Sequence, residues 1–485
     1  MTPMPQKGIF ESITTQNKRS HLMGFKIREI QADAKITDQE LLEAIEITIP
    51  HPLVEKIVEN YGLRRQRKRK LSAALGVILA VGMNLWAKQS LSRVLIKLLK
   101  GLRFIWPDPT VRLASKGAIS QLRYEIGAAP VVDLFHQVCN PMACPHTPGA
   151  FLFGLRMMAV DGTVEEVANT PENEMAFGRH TSQRGPSAFP QVQGVYLMEV
   201  GTHAIVDAGF WPIHTSERVG AFRMLRSVEA GMLLMWDRGL HSFDMARNTR
   251  QKGAHLLARV PDHVLLKPIQ HLPDGSYLAR LRPSGYHRRK AGERLLIRVI
   301  EYTIDDPALP GYGQRHRLMT SLLDHNTAPA INLARAYHER WEIELGIDEI
   351  DTHQRLATQP LRSKKPVGVI QELYGLLIAH YAIRKVMLDA ATEVGLDPDR
   401  MSFINALELV CDAIPEFQMT DPKDHPQLYQ RLLQDIRQFQ LPERDNRWNP
   451  RVVKRKMSKF PLKRPESYQP VRLNKPFRET VVLLN

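Results

Sequence analysis

Hydrophobic and polar positions follow two different patterns along this chain, and the change falls near residue 150. From about 21 to 150, apolar residues recur every three or four positions, as in HPLVEKIVENYG and SLSRVLIKLLKGL, which is typical of packed amphipathic helices. The uncharged run LSAALGVILAVGMNLWA, residues 71–87, follows the basic RRQRKRK and is superficially similar to a membrane span. It contains Ser72, Asn84 and two glycines and is at the short limit for a span. We therefore predict a buried helix and no membrane association.

Strand-like patterns begin after residue 150. The apolar run LFGLRMMAVDGT leads to Asp161, and FPQVQGVYLMEVGTHAIVDAGFWP predicts two strands joined by a tight turn at 201–203. A helical segment follows at about 216–230, and GMLLMWDRGL is a buried strand that runs into Asp237. This alternation predicts an α/β fold with a mixed or mostly parallel sheet covered on both faces. Because ligands bind beyond strand carboxyl ends, both aspartates are candidate site residues.

The segment from about 261 to 325 is strand-like and strongly basic, as in SYLARLRPSGYHRRKAGERLLIRVIEYTI. We interpret it as a β-rich insertion whose positive charges contact phosphates. Arg288, Arg289 and Lys290 are its candidate DNA contacts. A solvated basic face that binds no partner is the alternative.

A helix is predicted from about 329 to 352, and its part YHERWEIELGIDEIDTHQ carries six carboxylates. At about 100° per residue, its isoleucines form an apolar stripe that faces a core: Ile343, Ile347 and Ile350. Three acids lie largely opposite, and we predict that they are solvated: Glu339, Glu342 and Glu349. A third face is the candidate for chemistry, and it combines aromatic and charged residues: Tyr337, Arg340, Trp341, Glu344, Asp348 and Asp351.

The charge balance of the chain favours a polyanionic partner. Lys and Arg outnumber Asp and Glu by 66 to 51, a net charge of +15 in 485 residues, which indicates nucleic acid. The segment LASKGAISQLRYEIG resembles the second half of a helix-turn-helix, with Gln121 and Arg123 as candidate base contacts. Only three cysteines occur, as expected of thiols in a reducing cytoplasm.

The candidate residues together match a known signature. Tyr337, Arg340 and Glu344 match the Y-x2-R-x3-E part of the Y-R-E-K signature, and Asp161 in AVDGT and Asp237 in WDRGL precede it, 76 residues apart. The chain thus resembles the bacterial DDE transposases of the insertion-sequence-four family. The helical N-terminal part also resembles that family, as do LRSKKPVGVIQELYGLLIAHYAIRKVM and the basic RWNPRVVKRKMSKFP.

The resemblance implies a division of the chain into four parts. These are an N-terminal tail (1–20), a helical DNA-binding domain (21–150), a ribonuclease-H-like DDE catalytic domain containing the β-rich insertion (151–385), and a C-terminal helical region with a basic tail (386–485). In a ribonuclease-H-like fold the first and fourth strands are neighbours, so Asp161 is expected beside Asp237 with Glu344 arriving from a helix. Asp348, one turn further on, is the rival of Glu344, and the register of the signature favours Glu344.

The resemblance also implies the chemistry. Cutting and joining DNA is an in-line displacement at phosphorus, in which two divalent ions activate the nucleophile and stabilise the leaving oxygen. Because Mg²⁺ prefers carboxylate oxygens, Asp161, Asp237 and Glu344 are the expected catalytic and metal-binding residues for two Mg²⁺ ions, with Mn²⁺ as a substitute.

Further DNA contacts are expected from Tyr337, Arg340 and Arg238. The expected partners are double-stranded DNA, as terminal inverted repeats and as target, and a second copy of the chain in a synaptic homodimer. The expected location is the cytoplasm, on the nucleoid.

One position departs from the signature. Asp351 stands seven residues after Glu344, where the family has a lysine that holds DNA phosphates. Lys364, Lys365 or His353 could supply the missing charge; otherwise the protein is impaired. Cut-and-paste transposition is therefore the leading function, and the alternatives are a transposase-derived DNA-binding protein that no longer cleaves and a metal-dependent nuclease of the same fold.

Overall fold

The computed structural model describes residues 49–63, 72–98, 115–182, 185–307, 312–355, 359–442 and 476–484. Within these ranges a helical N-terminal layer precedes a large mixed sheet, and a group of helices follows the sheet. The predicted N-terminal tail and the basic segments 64–70 and 447–461 lie outside the described residues.

Two of the N-terminal helices begin at serine side chains. Ser72 accepts a hydrogen bond from the Leu75 amide (3.1 Å), and Ser115 accepts one from the Ala118 amide (3.2 Å). These bonds satisfy amides that have no partner within a helix. The described helices of this layer are α1 (His51–Asn60), α2 (Ala73–Leu85), α3 (Leu91–Leu98), α4 (Lys116–Ile126) and α5 (Ala129–Val138).

The uncharged run of sequence forms the centre of this layer. Helix α2 is buried along almost its whole length and packs against a 27-residue helix, Pro366–Thr392. A Cβ on Gly375 would lie 2.1 Å from the carbonyl oxygen of Ala80, so glycine permits this close approach. The amide of Asn84 donates to that same oxygen (2.8 Å) and to a carbonyl of the long helix (3.1 Å). The prediction of a buried helix is confirmed.

Among the helices that the structure describes, only Pro366–Thr392 is long and apolar enough to cross a membrane. In the most apolar 18-residue stretch of this helix, 72% is buried inside the protein, as expected for the core helix against which α2 packs.

A single sheet of eleven strands follows the helical layer. In spatial order, its first half is β6 (Ala204–Pro212), β5 (Gln191–Glu199), β2 (Leu155–Glu166), β7 (Met232–Trp236) and β8 (His255–Arg259). Strands β2, β7 and β8 are parallel, whereas β5 and β6 form an antiparallel hairpin beside β2. This strand order is ribonuclease-H-like, and the α/β fold class predicted from the sequence is confirmed.

Shorter elements surround this half of the sheet. They are β1 (Phe151–Leu152), which pairs with β2, a ribbon of β3 (Thr181–Ser182) and β4 (Gly185–Pro186), and the helices α6 (Pro171–Phe177), α7 (Glu217–Met224) and α8 (Phe243–Gln251). Helix α7 packs on β2, β5 and β6, and α8 packs on β8.

The sheet continues beyond β8 with strands from the segment predicted as a β-rich insertion. They are β12 (His316–Thr320), β11 (Leu295–Ile304), β10 (Tyr277–Leu281) and β9 (Pro268–His271), all antiparallel, with β13 (Val481–Leu483) beside β11 and helix α9 (Tyr286–Lys290) between β10 and β11. Arg298 on β11 is buried, pairs with Asp274 and donates to the carbonyl of Ala328 (2.6 Å). This arginine of the basic segment is therefore structural.

The remaining helices follow the sheet. They are α10 (Ala330–His338), α11 (Glu342–Asp348), α12 (Pro366–Thr392), α13 (Phe403–Met419) and α14 (His425–Arg437). Helices α12, α13 and α14 pack against one another, and α12 also contacts β6. Apolar side chains of all these layers join one continuous core.

The pairing of β2 with β7 sets the level of the two aspartates. Ala159 lies opposite Met235 in this parallel pair, so Asp161 on β2 and Asp237 directly after β7, each two residues further on, are level. The prediction that the first strand ends at Asp161 is wrong. Strand β2 continues to Glu166 because β5 pairs with it on its other edge over that length.

Candidate active site

Asp161 and Asp237 are held by the backbone around them. The Gly162 amide donates to Oδ1 of Asp161 (2.9 Å), and burial raises the pKa of this carboxyl above its ordinary value although Arg340 opposes the rise. Asp237 caps the 3₁₀ turn after β7, where its Oδ1 accepts from the amides of Gly239 (2.7 Å) and Leu240 (3.2 Å).

Glu344 lies near the two aspartates on a helical segment whose hydrogen-bonding pattern changes along its length. A 3₁₀ turn at Glu339–Trp341 precedes α11, and a π-helical turn at Glu349–Gln354 follows it. The stretch covers the helix predicted from the sequence, and the isoleucine stripe faces the core as predicted. The number of residues per turn differs among 3₁₀, α and π helices, so the residues that share a face differ from those of a regular α-helix.

Arg340 joins Glu344 to Asp161. Its guanidinium lies 3.1 Å from Oδ2 of Asp161 and 3.2 Å from Oε1 of Glu344, and only 6% of the residue is exposed. Tyr337, also buried, donates its hydroxyl hydrogen to the carbonyl of Trp236 (3.3 Å), the residue before Asp237. Tyr337 and Arg340 thus attach the helix to the two strands that carry the aspartates.

A fourth carboxylate, Glu217, lies at the same place and was missed by the sequence analysis. It is the first residue of α7. Burial, followed by the charges of Asp161 and Asp237, raises the pKa of Glu217 to about 7. Its sequence context, TSERVG, is that of an ordinary helix start, so no pattern in the sequence distinguished it.

The prediction of solvated acids is wrong for Glu342, which is buried, and for Glu349, whose side chain is only 12% exposed. His203, in the turn between β5 and β6, lies 2.8 Å from Glu342 through Nε2 and 3.2 Å from Glu349 through Nδ1. Arg384 of α12 lies 3.4 Å from Glu349 and 2.7 Å from Asp399. We call these five residues the His203 network.

The His203 network also has the spacing of a metal site. Ligand atoms of His203, Glu342 and Asp399 all lie within 4.8 Å of one another. Although burial opposes protonation of His203, the surrounding carboxylates raise its pKa to about 9, and a protonated imidazole has no nitrogen lone pair for a metal. The network is therefore a set of ion pairs beside the helical segment that carries Glu344.

Some of the predicted DNA contacts are exposed, whereas others are bonded to other groups of the protein. Gln121, Arg238, Arg289 and Lys290 are exposed. Arg288 pairs with Asp244 (2.8 Å) and Glu293 (2.7 Å). Arg123 is buried and donates to Gln371 (3.1 Å), Ser363 (3.1 Å) and the carbonyl of Gly368 (3.0 Å). Contrary to the prediction, Arg123 connects α4 to the start of α12 rather than facing DNA.

Asp351, at the position of the signature lysine, faces strand β2. Its Oδ2 accepts a hydrogen bond from Thr163 (3.2 Å). Burial, with Asp351 next, raises the pKa of neighbouring Glu165 well above its ordinary value. Arg355 pairs with Glu165. The cation in this cluster is therefore Arg355, which was not among the candidates from the sequence.

The cations suggested from the sequence make other contacts. His353 lies 3.4 Å from Asp348, and the ammonium of Lys365 lies over the ring of Tyr124, 4.8 Å from its centre. Lys364 is exposed.

A ribonuclease-H-like sheet that gathers acidic residues from two adjacent strands and a following helix defines a class of enzymes that transfer phosphoryl groups of nucleic acids. Residues 39–136 match the family model "Insertion element 4 transposase N-terminal", and residues 153–382 match the model "Transposase DDE domain". The transposase InsG for insertion sequence element IS4 of Escherichia coli (strain K12) is 30% identical over 419 residues, which cover 84% of this chain and 91% of InsG.

The chain belongs to the insertion element 4 family of DDE transposases. It is accordingly an enzyme of DNA transposition, which cleaves DNA and transfers strands. A piggyBac transposase synaptic complex with hairpin DNA, solved by cryo-EM, superposes with a TM-score of 0.38 and 13% identity over 87% of this chain and 88% of that chain, too loosely to define a common fold.

Proposed function

We propose that this transposase binds the terminal inverted repeats of an insertion sequence and moves the element by a cut-and-paste route. Asp161, Asp237 and Glu344 hold two Mg²⁺ ions in this proposal, and Mn²⁺ substitutes for them. The observation that carries it is the level placement of the two aspartates on β2 and β7, with Glu344 joined to Asp161 through Arg340.

The donor set suits a divalent metal. Its members are carboxylates, the ligands that Mg²⁺ prefers, and they lie close enough that a guanidinium cation bridges two of them. When bound, the ions supply an activated nucleophile and a stabilised leaving oxygen for displacement at phosphorus. The family implies a divalent metal, and the choice of Mg²⁺ rests on the oxygen-only donor set.

The protein residues orient this reaction. The amide of Gly162 and the turn after β7 fix the rotamers of Asp161 and Asp237, which limits their reorganisation during the reaction. Arg340 neutralises negative charge between Asp161 and Glu344, and in this proposal its guanidinium also contacts a DNA phosphate. Tyr337 contacts the same phosphate region in this proposal.

The remaining proposed DNA contacts lie on the surface. Gln121 on α4 contacts the terminal repeat, Arg238 contacts the strand at the site, and Arg288, Arg289 and Lys290 contact backbone phosphates. The substrates are double-stranded terminal repeats and target DNA, bound by two copies of the chain in a synaptic homodimer. The proposed location is the cytoplasm, on the nucleoid.

The first prediction tests the three carboxylates. Asp161→Ala, Asp237→Ala and Glu344→Ala each lower Mg²⁺-dependent cleavage of a terminal-repeat duplex by at least about a hundredfold, the cost of removing a charge-stabilising group from an active site. DNA binding stays near wild type, because basic surfaces supply most of it. Cleavage is measured on labelled duplex and binding by gel shift at the same salt.

Asp348→Ala is the matched control, because Asp348 lies one turn after Glu344 and its side chain is 53% exposed. It keeps most of the cleavage activity. Near wild-type cleavage by any of the three alanine variants would remove that residue from the site. Cleavage without joined products would favour the nuclease alternative.

A further inference from the structure

Glu217 stands where the chain turns back over the sheet after β6. Ser216 takes the N-cap position in an extended conformation, so Glu217 is the first residue of α7. This helix packs on β2, β5 and β6. The start of α7 therefore lies over the strand that carries Asp161.

The backbone beside Asp161 leaves space for the Glu217 carboxylate. A Cβ on Gly162 would lie 2.6 Å from Oε1 and 2.8 Å from Cδ of Glu217, well inside normal contact distance. The Gly162 amide donates to Oδ1 of Asp161 (2.9 Å). The Glu217 carboxylate therefore lies against the backbone of the residue that orients Asp161.

A second contact attaches the start of α7 to the turn that holds Asp237. Nε of Arg218 donates to the carbonyl oxygen of Gly239 (2.7 Å), and the amide of Gly239 donates to Asp237. Glu217 is therefore positioned from both sides, by the strand of Asp161 and by the turn of Asp237.

A carboxylate fixed among other carboxylates suffers repulsion unless a cation joins them. Mg²⁺ takes near-octahedral oxygen coordination, and two ions offer more coordination positions than three carboxylates can fill. We infer that Glu217 is a fourth carboxylate of the metal-binding site and ligates a divalent ion together with Asp161 and Asp237. This inference rests on the proposed metal-dependent function and extends its ligand set.

The competing role for Glu217 is local. A carboxylate in the first turn of a helix interacts favourably with the helix dipole. That role requires Glu217→Gln to lower the melting temperature of the metal-free protein and to leave metal affinity unchanged. If Glu217 is a metal ligand, Glu217→Gln lowers metal affinity. It also keeps or raises the melting temperature of the metal-free protein, because it removes one of several carboxylates that repel one another.

The test is Mn²⁺ binding to the full-length chain, measured by titration calorimetry and by the loss of the free Mn²⁺ signal in electron paramagnetic resonance. Glu217→Gln weakens binding by at least about tenfold, since even residues that only support metal ligands contribute 10–100-fold. Glu217→Asp keeps the charge on a shorter side chain, and its affinity for Mn²⁺ lies between those of wild type and Glu217→Gln. The control is Glu229→Gln, which removes an exposed acid beyond the other end of α7. It binds Mn²⁺ with wild-type affinity.

Asp237→Asn separates this inference from the proposed function. Loss of Mn²⁺ binding in Asp237→Asn, with wild-type binding and a lower melting temperature in Glu217→Gln, overturns the role of Glu217 alone. Wild-type binding in Asp237→Asn overturns the metal site itself, and the inference with it. Weakened binding in both variants, with melting temperatures at or above wild type, supports both.

Discussion

Three carboxylates of the helical segment that carries Glu344 meet three different environments within about two and a half turns. Glu342 faces His203, Glu344 faces Arg340, and Asp351 faces Thr163 beside the buried Glu165. The first two meet cations. Asp351 instead meets a second carboxyl group, where one cation, Arg355, pairs with Glu165.

This environment predicts the effect of restoring the signature lysine. Asp351→Lys places an ammonium group beside the Glu165 carboxyl group, and it removes one negative charge and adds one positive charge near the DNA. We expect several-fold faster cleavage or tighter DNA binding, since one favourable phosphate contact in place of a repulsive one contributes on the order of 1 kcal/mol. The measurement is paired-end cleavage of a short terminal-repeat duplex at fixed Mg²⁺ and salt.

Asp348→Lys makes the same charge change one turn earlier on an exposed site, and it controls for general attraction to DNA. A gain confined to Asp351→Lys marks the natural aspartate as limiting. Slower cleavage by Asp351→Lys would show instead that the pairing of Asp351 with Thr163 and Glu165 is required.

Among the elements, the helical segment that carries Glu344 is held from two sides. Arg340 and Tyr337 attach it to β2 and β7, and the His203 network attaches its other side to the β5–β6 turn and to α12. The α-helical turn that carries Glu344 lies between a 3₁₀ turn and a π turn. π turns are frequent at functional sites, and here the π turn presents Glu349 to His203 and Arg384.

The His203 network makes stability depend on pH. Burial and Arg384 oppose protonation of His203, but Asp399, Glu349 and Glu342 outweigh them and raise its pKa to about 9. Because this pKa lies above the unfolded value of about 6.5, the stabilisation is complete below about pH 6.5 and is lost as pH rises through about 9.

We expect wild type to lose on the order of 3 kcal/mol relative to His203→Gln between these pH values. Melting temperatures from pH 6 to 9.5 measure the difference. His146→Gln, at an exposed histidine, is the control and follows wild type. Parallel pH profiles for wild type and His203→Gln would mean that folding does not raise the pKa of His203.

At the scale of the whole molecule, positive charge divides between the surface and the interior. Arg123 and Arg298 are buried and join distant segments. Arg289 and Lys290 are exposed on the short helix of the sheet extension, and Arg288 beside them is already paired with two acids. The net charge of +15 therefore overstates the charge available to DNA.

Arg289→Ala combined with Lys290→Ala tests this surface. We expect weaker binding to specific and random DNA alike, and a salt dependence of log affinity that is shallower by about 0.9 for each phosphate that the variant no longer neutralises. Arg288→Ala has a smaller effect on this slope because its charge is already paired. Lys423→Ala, at an exposed lysine in the C-terminal helical region, leaves the slope unchanged, and an unchanged slope in the double variant would exclude this surface from DNA binding.

Local sequence patterns were enough to predict the main strands, the helices and the α/β class, because apolar periodicity reports which face of each element is buried. They also predicted that Asp161 and Asp237 adjoin buried strand segments, and the signature register singled out Glu344. These are local properties of short segments, and they survive folding with small changes such as the extension of β2 to Glu166.

Which charged groups meet depends on the tertiary fold. The side chain of Glu349 is only 12% exposed because His203 and Arg384, both distant in sequence, supply its partners, and Glu217 lies beside Asp161 because α7 folds over Gly162. Arg123 is interior because α12 and the residues just before it offer three acceptors. A buried charge requires a partner, and periodicity specifies the direction of a side chain without specifying what a distant segment places opposite it.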